Sequence, residues 1–196
     1  MYEGKLSRLR SLEPEDAERI FKYWNNYEIR QQLTTPLPVS KEDMKDFVNT
    51  KRLNFQNKTE FMFGIEDLKT STLIGIINLE KISWLSRHGQ VGLFSVFHPD
   101  FMGRGYGRDS LTLLLDFAFQ VLDFEIIYLW VLDFNIRAIE LYRKIGFQES
   151  GKIRQLVYRN GKRHDVVSMD ILKSEFVDKY SKSLKDSETI SSDSKI

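Results

Sequence analysis

The chain has no cysteine among its 196 residues. Disulfides, a thiol nucleophile and thiolate metal sites are thereby excluded, and an intracellular location is the default expectation. Proline is scarce, at four residues. An excess of one charge is also missing: 29 Lys and Arg almost cancel 28 Asp and Glu. That balance gives no long-range pull toward nucleic acid or an anionic membrane, so neither is expected as a partner. Long apolar runs are absent as well. The opening stretch Met1 to Ile20 has no continuous apolar segment and reads as neither a signal peptide nor a spanning helix. A soluble, cytoplasmic protein is expected. What remains is an ordinary globular composition, 41% hydrophobic and 29% charged, at a length suited to one domain with a sizeable core.

Leu6, Leu9 and Leu12 surround a short extended segment that leads into Glu13-Pro14-Glu15-Asp16, an acidic, Pro-marked first turn of a helix running to about Asn25. Ala17, Ile20, Phe21 and Trp24 form its apolar face. After a Pro-broken stretch at Thr35 to Pro38, Ser40 and Asp43 have the spacing of a capping box for a second helix, which carries Met44, Phe47, Val48 and Leu53. Strands are expected at Phe61–Glu66 and Leu73–Ile82, joined as a hairpin, and at Gln90–Phe97. Ser110–Leu122 is too long an apolar run for a strand and reads as a helix packed tightly on a sheet. Ile126–Leu132 is almost wholly apolar, the pattern of a strand covered on both faces. Asn135–Ile145 is a helix ended by Gly146. Asn160-Gly161 marks a tight hairpin between Phe147–Tyr158 and Lys162–Leu172. After Glu175 the composition turns to Ser, Lys and Asp, and the last dozen residues are expected to be disordered. One α/β domain with a mixed sheet accounts for this order.

The segment from Phe97 to Arg108, with glycines at 103, 105 and 107, lies between a strand and a long helix. Alternating glycines let the backbone approach a ligand, and successive N–H groups at a helix N-terminus favour phosphate. Arg104 and Arg108 can add charge-assisted contacts. A Walker-type loop is a poor match, because Arg108-Asp109 follows the last glycine rather than Lys-Ser or Lys-Thr. A dinucleotide fingerprint fits poorly too. The bland alternative is a glycine turn that only starts a helix.

In place and wording the loop resembles the pyrophosphate loop of the GNAT acetyltransferase superfamily, Gln/Arg-x-x-Gly-x-Gly/Ala. Met102 takes the Gln/Arg position, and Gly105 and Gly107 take the small-residue positions. Met102 departs from the pattern but leaves a backbone cradle formed by Gly103, Arg104, Gly105, Tyr106, Gly107 and Arg108. The resemblance continues through Asn135-Ile136-Arg137-Ala138 to Tyr142 and Gly146-Phe147, similar to the family's N-x-x-A-x-x-x-Y-x-x-x-G-F segment. Seven residues separate Asn135 from Tyr142, about two helical turns, so they share a face. Read alone, Asn135 is an N-cap and Tyr142 a packing aromatic.

The resemblance implies an α/β fold with a mixed, mostly antiparallel sheet, a splayed strand pair and flanking helices. It covers roughly Lys5 to Leu172, giving an N-acetyltransferase domain over residues 1–174 and a polar tail over 175–196. It implies acetyl-CoA as donor, Tyr142 as the general acid toward the departing thiolate, Asn135 and Ala138 as cofactor contacts, and Ser95, Val96 and Phe97 as the strand end that pairs with pantetheine. No metal is implied. The closing hairpin resembles the RimJ/RimL-type branch, which acetylates protein N-termini, and spermidine acetyltransferases resemble it too. An α-amine of a protein or peptide is therefore the expected acceptor. A small polyamine-like amine is the alternative, as is a non-catalytic acyl-CoA sensor of the same fold. Many relatives place Glu where Gly92 stands, which leaves the base among Glu80, Asp133, His98 and His164. Lys81 stands where spermidine enzymes carry an acidic residue, which disfavours a polycation. Dimers are common among similar enzymes, and the sequence leaves the oligomeric state open.

Overall fold

The strand-forming runs pair into one eight-stranded sheet in the computed structural model, which describes residues 2–31, 33 and 37–179. In chain order the elements are β1 (Tyr2–Glu3), β2 (Ser7–Ser11), α1 (Asp16–Trp24), α2 (Tyr27–Gln31), α3 (Lys41–Gln56), β3 (Phe61–Asp67), β4 (Leu73–Ser83) and β5 (His88–Val96). A 3-10 turn at Pro99–Phe101 precedes α4 (Tyr106–Asp116), which widens into a π turn at Phe117–Val121. Then come β6 (Ile126–Leu132), α5 (Ile136–Ile145), β7 (Gln148–Arg159) and β8 (Lys162–Leu172), with a last helix, α6, over 173–179. The spatial order is β1-β2-β3-β4-β5-β6-β8-β7, antiparallel at every pair except β5–β6. No described helix is long and apolar enough to cross a membrane.

Local chemistry accounts for the element ends. Ser40 and Asp43 cap α3 reciprocally: the Asp43 N–H donates to Ser40 Oγ at 3.0 Å, and the Ser40 N–H to Asp43 Oδ2 at 3.0 Å. Asn160 and Gly161 both take positive φ, 48° and 77°, as a two-residue primed turn requires. The sheet divides two cores. On one face α4 and α5 bury Leu111, Leu114, Leu115, Ile139 and Ile145 against Phe63, Ile65, Leu79, Val91 and Leu129. On the other, α1 and α3 bury Ala17, Ile20, Met44 and Val48 against Met62, Ile76 and Phe97.

β4 and β5 fall out of step in a way that shapes everything beyond them. Ile77 pairs with Phe94 and Leu79 with Val91, so Gly92 and Leu93 together oppose the single residue Asn78. This is a β-bulge, which bends its strand. Asn78 is fully buried, and its Oδ1 accepts the Leu93 N–H at 2.6 Å. Its amide nitrogen donates to Glu60 and, at 2.9 Å, to Glu80. At the same level β5 parts from β6. Their parallel pairing runs only from His88↔Ile126 to Val91↔Leu129. Beyond it, β5 keeps β4 and β6 keeps β8, and a wedge opens between them.

Four sequence expectations change. The helix expected from Ser110 begins at Tyr106, because Gly105 supplies the left-handed residue that starts it. β6 is covered on one face only: Ile127, Leu129 and Val131 are buried, while Ile126 and Trp130 are exposed, since no described helix lies over that side. Leu53 points off the buried stripe of α3 and is 58% exposed. The packed domain runs past residue 174, because Phe176 in α6 is buried and its ring lies tilted at 43° to that of Phe119, with centroids 5.4 Å apart. The remaining tail, 180–196, and the Thr35-Pro36 break lie outside the described residues.

Replacing Asn78 by Leu leaves the Leu93 N–H and two carboxylates without their amide partner. A loss of about 2–4 kcal/mol in urea-induced unfolding is expected, and stability within about 0.5 kcal/mol of wild type would show that the amide is not needed to hold the bulge.

Candidate active site

The glycine segment forms an exposed cradle at the mouth of the wedge. Gly103 and Gly105 have φ of 76° and 94°. Among the described residues, no backbone or side-chain acceptor takes the N–H groups of Gly103, Arg104, Gly105, Tyr106, Gly107 and Arg108. The last three are the first turn of α4, whose amides have no intrahelical partner and whose dipole is positive. Arg104 and Arg108 are exposed and enter no ion pair among the described residues. The arrangement is built to hold an anion.

Two ties keep it in place. The Tyr106 hydroxyl donates to Asp67 Oδ1 at 2.6 Å, joining the start of α4 to the β3–β4 hairpin. Burial, then this bond, push the Tyr106 pKa up to about 12. Asp109 accepts the N–H groups of Lys5, Leu6 and Ser7 at 2.8–3.0 Å and the Ser7 hydroxyl at 2.8 Å, which holds the β1–β2 turn against α4. Met102 is 37% exposed beside the cradle.

α4 follows β5 and α5 follows β6, so the two helices close over one side of the wedge. An added Cβ on Gly107 would touch Leu141 of α5 and Phe94 of β5 at 3.4 and 3.5 Å, which shows how tightly the three elements converge. Asn135 caps α5, its Oδ1 accepting the Ala138 N–H at 3.2 Å, so the capping reading is correct and only its amide nitrogen stays available. Tyr142 is 8% exposed, packs on Phe147, and its hydroxyl has no hydrogen-bond partner among the described residues. Burial raises its pKa. Ser95 and Val96 line the open edge of β5. Phe97 does not join them: its N–H donates to the Ile74 carbonyl at 2.9 Å and its ring stacks on Tyr23 in the opposite core.

The four base candidates are scattered. His98 is packed between Tyr23 and Phe101, with a buried Nδ1 that has no partner among the described residues. Asp133 and His164 contact each other at 3.2 Å beside the Asn135 cap, and Asp133 also takes the Asp165 N–H. Only Glu80 stands at the point of splay. A Cβ on Gly92 would lie 2.3–2.6 Å from its carboxylate, so Glu80 from β4 fills the space that a side chain at 92 would occupy. Lys81 takes a positive φ of 47° and lays its ammonium 4.5 Å over the Trp130 ring.

A family model, the acetyltransferase (GNAT) domain, matches residues 7–148. The chain belongs to the GNAT acetyltransferase family. It is an N-acetyltransferase with acetyl-CoA as acyl donor. It is 29% identical over 171 residues to a spermidine N(1)-acetyltransferase of Vibrio cholerae, covering 87% of this chain and 95% of that one. A Bacillus subtilis protein, YdaF, provisionally named a ribosomal N-acetyltransferase, is 26% identical over 170 residues, covering 86% and 92%. The solved structure of the Vibrio cholerae spermidine N-acetyltransferase with CoA and spermine superposes with a TM-score of 0.78, at 29% identity, over 87% of this chain and 98% of that one.

Two residues escaped the sequence reading. Arg137 brings a guanidinium nitrogen to 3.4 Å of where a Gly103 Cβ would sit, adding a third cation to the cradle. Asn78 is a lone amide in an apolar strand, and that isolation was its only signal. Replacing Gly105 by Val forces a β-branched residue into φ +94°. Calorimetry should then show acetyl-CoA binding weakened by at least about a hundredfold, with far-UV circular dichroism unchanged; wild-type affinity would refute the cradle.

Proposed function

We propose that the protein acetylates a primary amine of a small aliphatic polyamine-like acceptor, with acetyl-CoA held between β5 and β6. The observation that carries this reading is the row of six amides, at residues 103–108, that have no acceptor among the described residues, beside a β5–β6 pairing that ends at Val91. They would hold the diphosphate, with Arg104, Arg108 and Arg137 adding charge. The free edge of β5 at Ser95 and Val96 would pair with pantetheine as an extra strand, and Asn135 and Ala138 would line its path. The acceptor class is supported by the spermidine acetyltransferases among the relatives. It is supported too by two carboxylates, Glu80 and Asp170, that form no ion pair among the described residues. Lys81, which disfavours a polycation by position alone, rests on Trp130 instead of pairing with either acid.

The free amine attacks the thioester carbon, a C–N bond forms, and the carbonyl pair moves to oxygen. An N–H on the open β5 edge can stabilise that oxyanion. The nitrogen then loses a proton, the carbonyl re-forms, and the C–S bond breaks to release thiolate. Tyr142 would protonate it. Burial raises the pKa of its hydroxyl, so the proton that it would give is held at neutral pH.

Because the pKa of Tyr142 lies above the ordinary value of about 10, the hydroxyl stays protonated to higher pH, and its ionisation should give no alkaline limb in kcat below about pH 10. Tyr142→Phe should lower kcat by about a hundredfold or more with acetyl-CoA affinity unchanged, read by thiol release with spermidine. Unaltered kcat would remove the acid role. Turnover with peptide N-termini but none with spermidine would overturn the acceptor class.

A further inference from the structure

On the sheet face opposite α4 and α5, a polar row crosses four strands at the level of the splay. Glu80 of β4 is in register with Gln90 of β5, Gln90 with Tyr128 of β6, and Tyr128 with Asp170 of β8. Their neighbours Leu79, Val91, Leu129 and Met169 are buried in the α4–α5 core, which fixes the row on the other face. Gln90 is only 5% exposed, and its buried Oε1 accepts no hydrogen bond among the described residues. A buried acceptor left open in the free protein is costly, and the cost is recovered when a donor arrives. Opposite in register, Glu80 extends its carboxylate over Gly92, where among the described residues it receives only the Asn78 amide. Tyr128 lies beside it, its pKa raised by burial and then by the charge of Glu80. His88 packs edge-on to Tyr128, and Lys81 is the one cation that β4 brings to this face.

We infer that Glu80 and Gln90 form the seat of the reacting amine, and that Asp170 holds a second, distal ammonium of the same acceptor. This rests on the acetyltransferase reading above and assigns the residues that it left open. The chemistry follows from hydrogen count. A neutral primary amine has two N–H donors and one lone pair. Two acceptors side by side, Glu80 and Gln90, take both donors and leave the lone pair facing the wedge, where β5 bends away above Val91. When the C–N bond forms, the nitrogen becomes cationic and its proton passes to the Glu80 carboxylate. A secondary amine has one N–H and cannot fill both acceptors. Asp170 lies three strand spacings from Glu80, about 14 Å between Cα atoms, a span suited to an extended polyamine rather than to a monoamine.

The test measures thiol release by the full-length enzyme with propylamine, N-methylpropylamine and spermidine, alongside acetyl-CoA binding by calorimetry. Gln90→Met removes an acceptor that has no partner in the free protein, so its melting temperature should hold or rise. Its KM for propylamine should increase by about three- to tenfold, and its preference over N-methylpropylamine should shrink. Glu80→Gln should lower kcat and raise KM by about tenfold or more for every amine. Gly92→Ala keeps Glu80 but places a Cβ within 2.6 Å of its carboxylate, and should reproduce the Glu80→Gln kinetics. Asp170→Asn should raise KM for spermidine and leave propylamine unchanged. Wild-type kinetics in Glu80→Gln, Gln90→Met and Gly92→Ala, in an enzyme that still turns over acetyl-CoA, would overturn the seat and leave the proposed function standing. An enzyme that binds acetyl-CoA but acetylates none of the three amines would overturn the seat as well. Absence of acetyl-CoA binding would instead overturn the donor site.

Discussion

One buried amide governs the geometry of this molecule. Asn78 substitutes a side-chain acceptor for the ladder bond that the β5 bulge breaks, and it ties that bulge to Glu60 and Glu80 through its nitrogen. A sheet with continuous pairing would have no opening between β5 and β6. The bulge lets β5 turn away after Val91 while β6 stays with β8. The glycine segment follows β5 at that opening, with Tyr142 on the helix over one face of the sheet and the polar row on the other. The fixed part is rigid for ordinary reasons, since Ile77, Leu79, Val91 and Leu129 are all nearly or fully buried around the branch point.

The sheet also separates charge. The cradle side gathers Arg104, Arg108 and Arg137 around free amides, and the opposite face carries Glu80 and Asp170. A chain whose formal charge is only +1 thus gathers positive charge on one side of the sheet and negative charge on the other. Such local fields survive physiological salt better than a net charge would, because the groups lie within about one Debye length of their ligands. The low net charge, which gave the expectation of no nucleic-acid partner, concealed this internal polarity.

Much of the fold was legible because its signals are local. The Ser40–Asp43 cap, the Asn160-Gly161 turn and the apolar run of β6 each act within a few residues, and each element appears where those residues stand. The cradle was legible for the same reason. What could not be read was register. Glu80 and Gln90 face each other, and Glu80 fills the void over Gly92, only because β4 and β5 slip by one residue at Asn78. No spacing within one strand reports a slip between two. The exposed face of β6 escaped for a related reason: an apolar strand looks the same whether a helix, a ligand or nothing in its own chain covers the second side.

The tip of the β7–β8 hairpin reaches across to the first helices. Asn160 accepts from the Tyr27 hydroxyl at 3.0 Å and donates to Gln31 at 2.9 Å, while Arg159 donates to the Leu33 carbonyl at 3.1 Å. Segments some 130 positions apart along the chain are thereby clasped together. The clasp and the glycine segment are encoded by separate stretches of polypeptide. Substitutions in those two surface segments can therefore reshape the clasp while residues 102–108 stay as they are.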